Sequence, residues 1–115
     1  MWKDLEPKIV RQRLIIEGHT NDPIDENEIK DYLKKLGKVC NMNVLMEPVV
    51  HLSKKFGWSG WVHWETSGAH LYAWDAKTTF FSVDIYTCKK FTIKDAMDFT
   101  KKYFHCHDIV WKEVY

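Results

Sequence analysis

Three strand-like runs crowded into the middle of this chain restrict its fold more than any other feature. Ser59 to Glu65, His70 to Trp74 and Thr79 to Cys88 are rich in aromatic and β-branched residues, and only a few residues separate one from the next. Side chains alternate along a strand, so each run has two faces. In the first, Ser59, Trp61, His63 and Glu65 share a face opposite Gly60, Val62 and Trp64. In the second, His70, Tyr72 and Trp74 oppose Leu71 and Ala73. In the third, Ser82, Asp84, Tyr86 and Cys88 form a polar set opposite Phe81, Val83 and Ile85.

The flanking segments supply the layer that covers the apolar faces. Lys8 to Glu17 reads as a strand, ending at Gly18 before the turn Thr20-Asn21-Asp22-Pro23. Asp25 and Glu28 form a capping box, with Ile24 and Ile29 as the hydrophobic staple. Ile29, Tyr32, Leu33 and Leu36 recur at helical spacing, and Gly37 marks the helix end. Asn41 to Val50 predicts a strand and Leu52 to Gly57 a basic loop. Thr92 caps a second helix whose apolar face is Ala96, Phe99, Tyr103 and Phe104, and His107 to Tyr115 is the last strand. This order predicts an α+β fold: a two-layer sandwich with two helices packed on one face of a mostly antiparallel sheet. Residues 1–115 form one domain.

Composition narrows the function classes. Seventeen basic and 16 acidic residues leave a net charge of +1, too small a field to draw nucleic acid or an anionic membrane. No apolar run approaches the roughly 18 residues of a membrane span, and the N-terminus lacks a signal-peptide core. Cys40, Cys88 and Cys106 are odd in number and lack a disulfide spacing, so a reducing cytoplasm is expected. His105 and His107 would share a strand face beside Cys106. Three adjacent residues cannot complete a tetrahedral shell, and no metal is expected. His19, His51 and His63 read as surface or packing residues.

The stretch Trp64-Glu65-Thr66-Ser67-Gly68-Ala69-His70-Leu71-Tyr72-Ala73-Trp74-Asp75, with Val83-Asp84-Ile85-Tyr86-Thr87-Cys88 after it and Trp58-Ser59-Gly60 before it, resembles the core of the small prokaryotic S-adenosylmethionine decarboxylases. The resemblance covers most of the chain and is sharpest between Trp58 and Cys88. It implies that the chain cuts itself between Thr66 and Ser67 and converts Ser67 into a pyruvoyl cofactor. It also implies that Cys88 donates a proton in the reaction, that Ser59 assists self-processing, and that Trp74 belongs to the site. Two positions depart from the family pattern. Thr66 stands where a glutamate precedes the cleaved serine, with Glu65 one place earlier. Tyr72 stands where a histidine assists cleavage, with His70 two residues away on the same strand face.

A pyruvoyl group is a ketone that can take up the electron pair left when carbon dioxide departs. Gly68 would tolerate the strained turn that attack by Ser67 needs. The sulfonium and adenine of S-adenosylmethionine suit aromatic neighbours, and Trp58, Trp74 and Tyr86 are the candidates for binding it. The polar-aromatic sheet face and the family's pairing together predict a homodimer. The implied function is decarboxylation in spermidine synthesis in the cytoplasm. The two departures keep a second class open: an uncleaved relative that binds S-adenosylmethionine or a similar ligand without decarboxylating it. Arginine or ornithine as substrate also stays open.

Overall fold

A computed structural model describes residues 1–114. The chain runs β1 (Gln12–His19), α1 (Glu26–Val39), β2 (Val49–Ser53), β3 (Gly57–Trp64), β4 (Ser67–Trp74), β5 (Phe80–Thr87), α2 (Ile93–Phe104) and β6 (Asp108–Val114). The strands form one sheet in the order β2-β3-β4-β5-β1-β6, with every pairing antiparallel. Both helices lie on one face, giving the α+β two-layer sandwich expected from the sequence. No helix among the described residues is long and apolar enough to cross a membrane.

The core is the layer between helices and sheet. Leu14, Ile16, Val62, Leu71, Phe81, Val83 and Ile85 point from the strands toward Ile29, Tyr32, Leu33 and Leu36 of α1, all buried. The capping box forms: the Glu28 N–H donates to Asp25 Oδ1 at 2.9 Å, and the Asp25 N–H to Glu28 Oε1 at 3.4 Å. Thr92 sits at the N-cap of α2, but its side chain makes no capping hydrogen bond. Tyr32 and Thr100 tie the two helices through a buried 2.8 Å hydroxyl contact.

Several boundaries differ from the sequence reading. Gly37 does not end α1, which continues to Val39. A Cβ at Gly37 would lie 2.7 Å from Trp64 Nε1, so this glycine makes room for an indole. That indole donates to the Leu33 carbonyl at 3.2 Å. The segment 41–48 is not a strand. Only Val44 bridges to Trp64, and β2 begins after Pro48, which has no N–H to give a ladder. The presumed loop from Leu52 is strand through Ser53. The last strand begins at Asp108 rather than His107, and Tyr115, its expected end, lies outside the described residues.

Candidate active site at the β3–β4 hairpin

Trp64 of β3 pairs with Ser67 of β4, so Glu65 and Thr66 alone make the link. Ser67 and Gly68, expected in the turn, open β4 instead. The turn strain falls on Thr66, whose φ is 72°. Position three of such a turn favours glycine or asparagine, and a β-branched residue there is an outlier that costs about 1–3 kcal/mol. Gly68 serves a different purpose from the one expected. A Cβ there would sit 2.7 Å from the Val62 carbonyl oxygen, so it permits close strand approach. Asn43 holds the link in place. Its carbonyl accepts from the Glu65 N–H at 2.7 Å, and its side-chain amide donates to Glu65 Oε2 at 2.9 Å.

Ser67 is buried, with its hydroxyl on the helix side of the sheet. Its Oγ donates to Met42 Sδ at 3.5 Å and lies 3.2 Å from Thr66 Oγ1. The Thr66 hydroxyl in turn donates to the Glu65 carbonyl. The Thr66 carbonyl accepts the backbone N–H of Cys88 at 3.0 Å. This donor polarises the Thr66 carbonyl and is aimed where an oxyanion on that carbon would sit. Such donors are typically worth about 10²–10³ in rate. The Cys88 side chain is exposed just past the end of β5, with its Sγ 4.0 Å from the Tyr86 hydroxyl.

Beside the hairpin an open depression of about 690 Å³ is walled by Trp61, His63, His70, Asp84 and Tyr86. His70 pairs across the sheet with Trp61 and Asp84, and its ring stacks 6.4 Å from that of Trp61. His63, read from the sequence as a surface or packing residue, belongs to this wall. Its shared strand face with Trp61 was the available signal. Met42 carried none, because its contact depends on the chain folding back after α1, where the Met42 N–H donates to the Gly37 carbonyl at 2.8 Å.

The structure therefore gathers Thr66, Ser67 and Cys88 at one end of the hairpin, with His70 and Tyr86 in the adjoining depression. It does not bring Ser59 or Tyr72 there. These two are cross-strand partners on the open sheet face, five residues along β4 from Ser67 and roughly 17 Å away. Trp74 lies further still, its ring 6.3 Å from Tyr72 and 5.5 Å from Phe80. Trp58 is on the opposite face, packed against the core with Val62 and Trp64, because strand alternation puts it there. Cys40 and Cys106 are buried; burial pushes the Cys40 thiol up to about 12 and raises that of Cys106. His105 and His107 do not share a strand face, since His105 caps α2 at φ 52° and β6 starts after His107.

The family model for S-adenosylmethionine decarboxylase matches residues 13–115 of the chain. No curated protein matches it. Among solved structures, the adenosylmethionine decarboxylase from Aquifex aeolicus VF5 superposes with a TM-score of 0.74. The two are 17% identical, over 93% of this chain and 90% of that one, which is a likeness of fold.

Proposed function

The chain belongs to the S-adenosylmethionine decarboxylase family, and from that premise we propose that it is a self-processing, pyruvoyl-dependent decarboxylase of S-adenosylmethionine acting in spermidine synthesis. One observation carries the reading: Ser67 follows a strained Thr66 whose carbonyl is already held by the Cys88 N–H at 3.0 Å. The Ser67 hydroxyl attacks that carbonyl, and the acyl group shifts from nitrogen to oxygen. Elimination of the resulting ester releases the Thr66 carboxylate, and hydrolysis with loss of ammonia leaves a ketone at position 67. Relief of the φ strain at Thr66 favours the shift.

The surroundings of Ser67 fit a pyruvoyl group. It opens a strand at the rim of a depression of about 690 Å³, within the range typical of small-molecule sites. Formed there, the ketone would supply an electron sink for loss of the substrate carboxylate. Trp61 and Tyr86 offer aromatic surface to a sulfonium or an adenine. In this reading exposed Cys88 returns a proton to the α-carbon, and His70 and Asp84 are titratable residues lining the depression.

A homodimer would answer the distance between Ser67 and the Ser59–Tyr72 pair. The open sheet face exposes Val49, Tyr72, Tyr86 and Val110, and two such faces packed in opposite directions would bring the partner's Ser59 and the partner's Tyr72 to the Ser67 end. A dimeric mass by light scattering is the expected result, and a monomer at micromolar concentration would remove this arrangement.

Denaturing electrophoresis with intact-mass measurement tests the main reading. Processing yields fragments of 66 and 49 residues from the 115-residue chain, the smaller with a blocked terminus, and Ser67→Ala stays whole. A single full-length species after long incubation supports the second reading, an uncleaved binder of S-adenosylmethionine. That reading draws on the Ser67 hydroxyl being engaged with Met42.

A further inference from the structure

We propose that His19, His107 and Asp108 form a surface site for a divalent transition metal of the zinc class, remote from Ser67. Their ligand atoms all lie within 4.8 Å of one another. β1 ends on His19 and β6 begins on Asp108, and the two residues are cross-strand partners. His107 directly precedes β6, and its N–H donates to the His19 carbonyl at 3.3 Å. The backbone thus fixes all three side chains at one corner of the sheet.

The spacing suits one ion. His19 Nδ1 and Asp108 Oδ2 are 3.3 Å apart, and two ligands on one tetrahedral zinc stand roughly 3.3 Å apart. The His107 ring lies parallel to that of His19, 5.9 Å between centroids at 12°. The three ligand atoms span at most 4.8 Å, so the set must tighten by up to roughly 1.5 Å to hold one zinc. The His19–Asp108 contact and the His107 ring stacked on His19 thus put two imidazoles and a carboxylate together. Two imidazoles with one carboxylate suit zinc, cobalt or nickel, whereas calcium and magnesium prefer all-oxygen shells. The Phe80 ring, 5.5 Å from that of His19, closes one side. The other side is open, with the His19 and Asp108 side chains 43% and 69% exposed, which leaves a fourth position for water.

This site is independent of self-processing. His19 pairs with Phe80 at one end of β5, and Ser67 pairs with Thr87 at the other. A metal here would clamp the edge strand β6 to β1.

The test is a calorimetric titration of the untagged, chelator-treated chain with zinc chloride, with thermal unfolding in parallel. One zinc per chain is expected. His19→Ala, His107→Ala and Asp108→Asn should each weaken binding by about tenfold or more. His105→Ala, one turn of chain away and outside the cluster, should bind as the parent does. Zinc should raise the unfolding temperature of the parent and not of the His19→Ala, His107→Ala double variant. The proposal is overturned if that double variant binds zinc as tightly as the parent, or if the parent takes up none.

Discussion

The backbone N–H of Cys88 and the carbonyl of Thr66 meet at 3.0 Å across the end of β4 and β5. One residue thereby faces the chemistry twice. Under the proposed self-processing, its amide would address the peptide bond to be cut, and its thiol, exposed beyond the strand, would be available to the later reaction. The hydrogen bond also pins the carbonyl of a residue whose φ of 72° its own side chain disfavours.

Thr66→Gly separates strain from stability. Removing the positive-φ penalty gains about 1–3 kcal/mol, while glycine's extra unfolded-state entropy returns about 0.5–1. The variant should melt higher than the parent by roughly 1 kcal/mol and should process more slowly. Thermal unfolding and densitometry of the two fragments measure both. A lower melting point would show that the strain at Thr66 is smaller than what its hydroxyl contacts to Glu65 and Ser67 contribute.

Tyr72 is remote from Ser67 within one chain, so Tyr72→His should accelerate processing only through the proposed dimer, where the partner's imidazole would be a better base than a phenol at neutral pH. His70→Ala should slow or stop it, since His70 lines the depression beside the scissile link. Tyr72 is half exposed and His70 exposed, so neither change should alter unfolding temperature much. If the two variants cut at the parent's rate, both side chains drop out of the mechanism.

Gly37→Ala sets helix propensity against packing. Alanine favours a helix interior over glycine by about 1 kcal/mol. The new Cβ, however, would lie 2.7 Å from the Trp64 indole, whose Nε1 is tied to Leu33. Overpacking of this kind costs about 1–3 kcal/mol. The clash should win, lowering stability in chemical denaturation. A stabilised variant would mean that Trp64 can move freely.

The three thiols should react unequally. In the native protein at mildly alkaline pH, iodoacetamide should modify Cys88 and spare Cys40 and Cys106, with mass spectrometry locating the adduct. Burial holds Cys40 protonated up to about 12, above the ordinary thiol value near ~8.5. The unfolded chain therefore loses this proton first as pH rises. The stability Cys40 contributes is complete below the ordinary value and lost between it and about 12. Cys40→Ala should flatten part of that alkaline decline.

The order of elements, the capped start of α1 and its buried stripe of Ile29, Tyr32, Leu33 and Leu36 were legible in the sequence. Each depends on residues within a turn or two of one another, where periodicity and capping chemistry act. The same holds for the alternation that sorts Phe81, Val83 and Ile85 from Ser82, Asp84 and Tyr86, whereas Thr66, Ser67 and Cys88 were linked only through the resemblance to the family. Tertiary structure decided the rest. Gly37 looks like a helix stop until Trp64, 27 residues on, is seen lying against it. Ser67 looks like a turn residue until strand pairing draws it into β4 and moves the strain to Thr66. Met42 reaches Ser67, and His19 reaches His107 and Asp108, only because the sheet closes β1 between β5 and β6 and the chain after α1 folds back. Local sequence sets which face a side chain takes, whereas contacts between distant segments follow from how strands pair and what the core must bury.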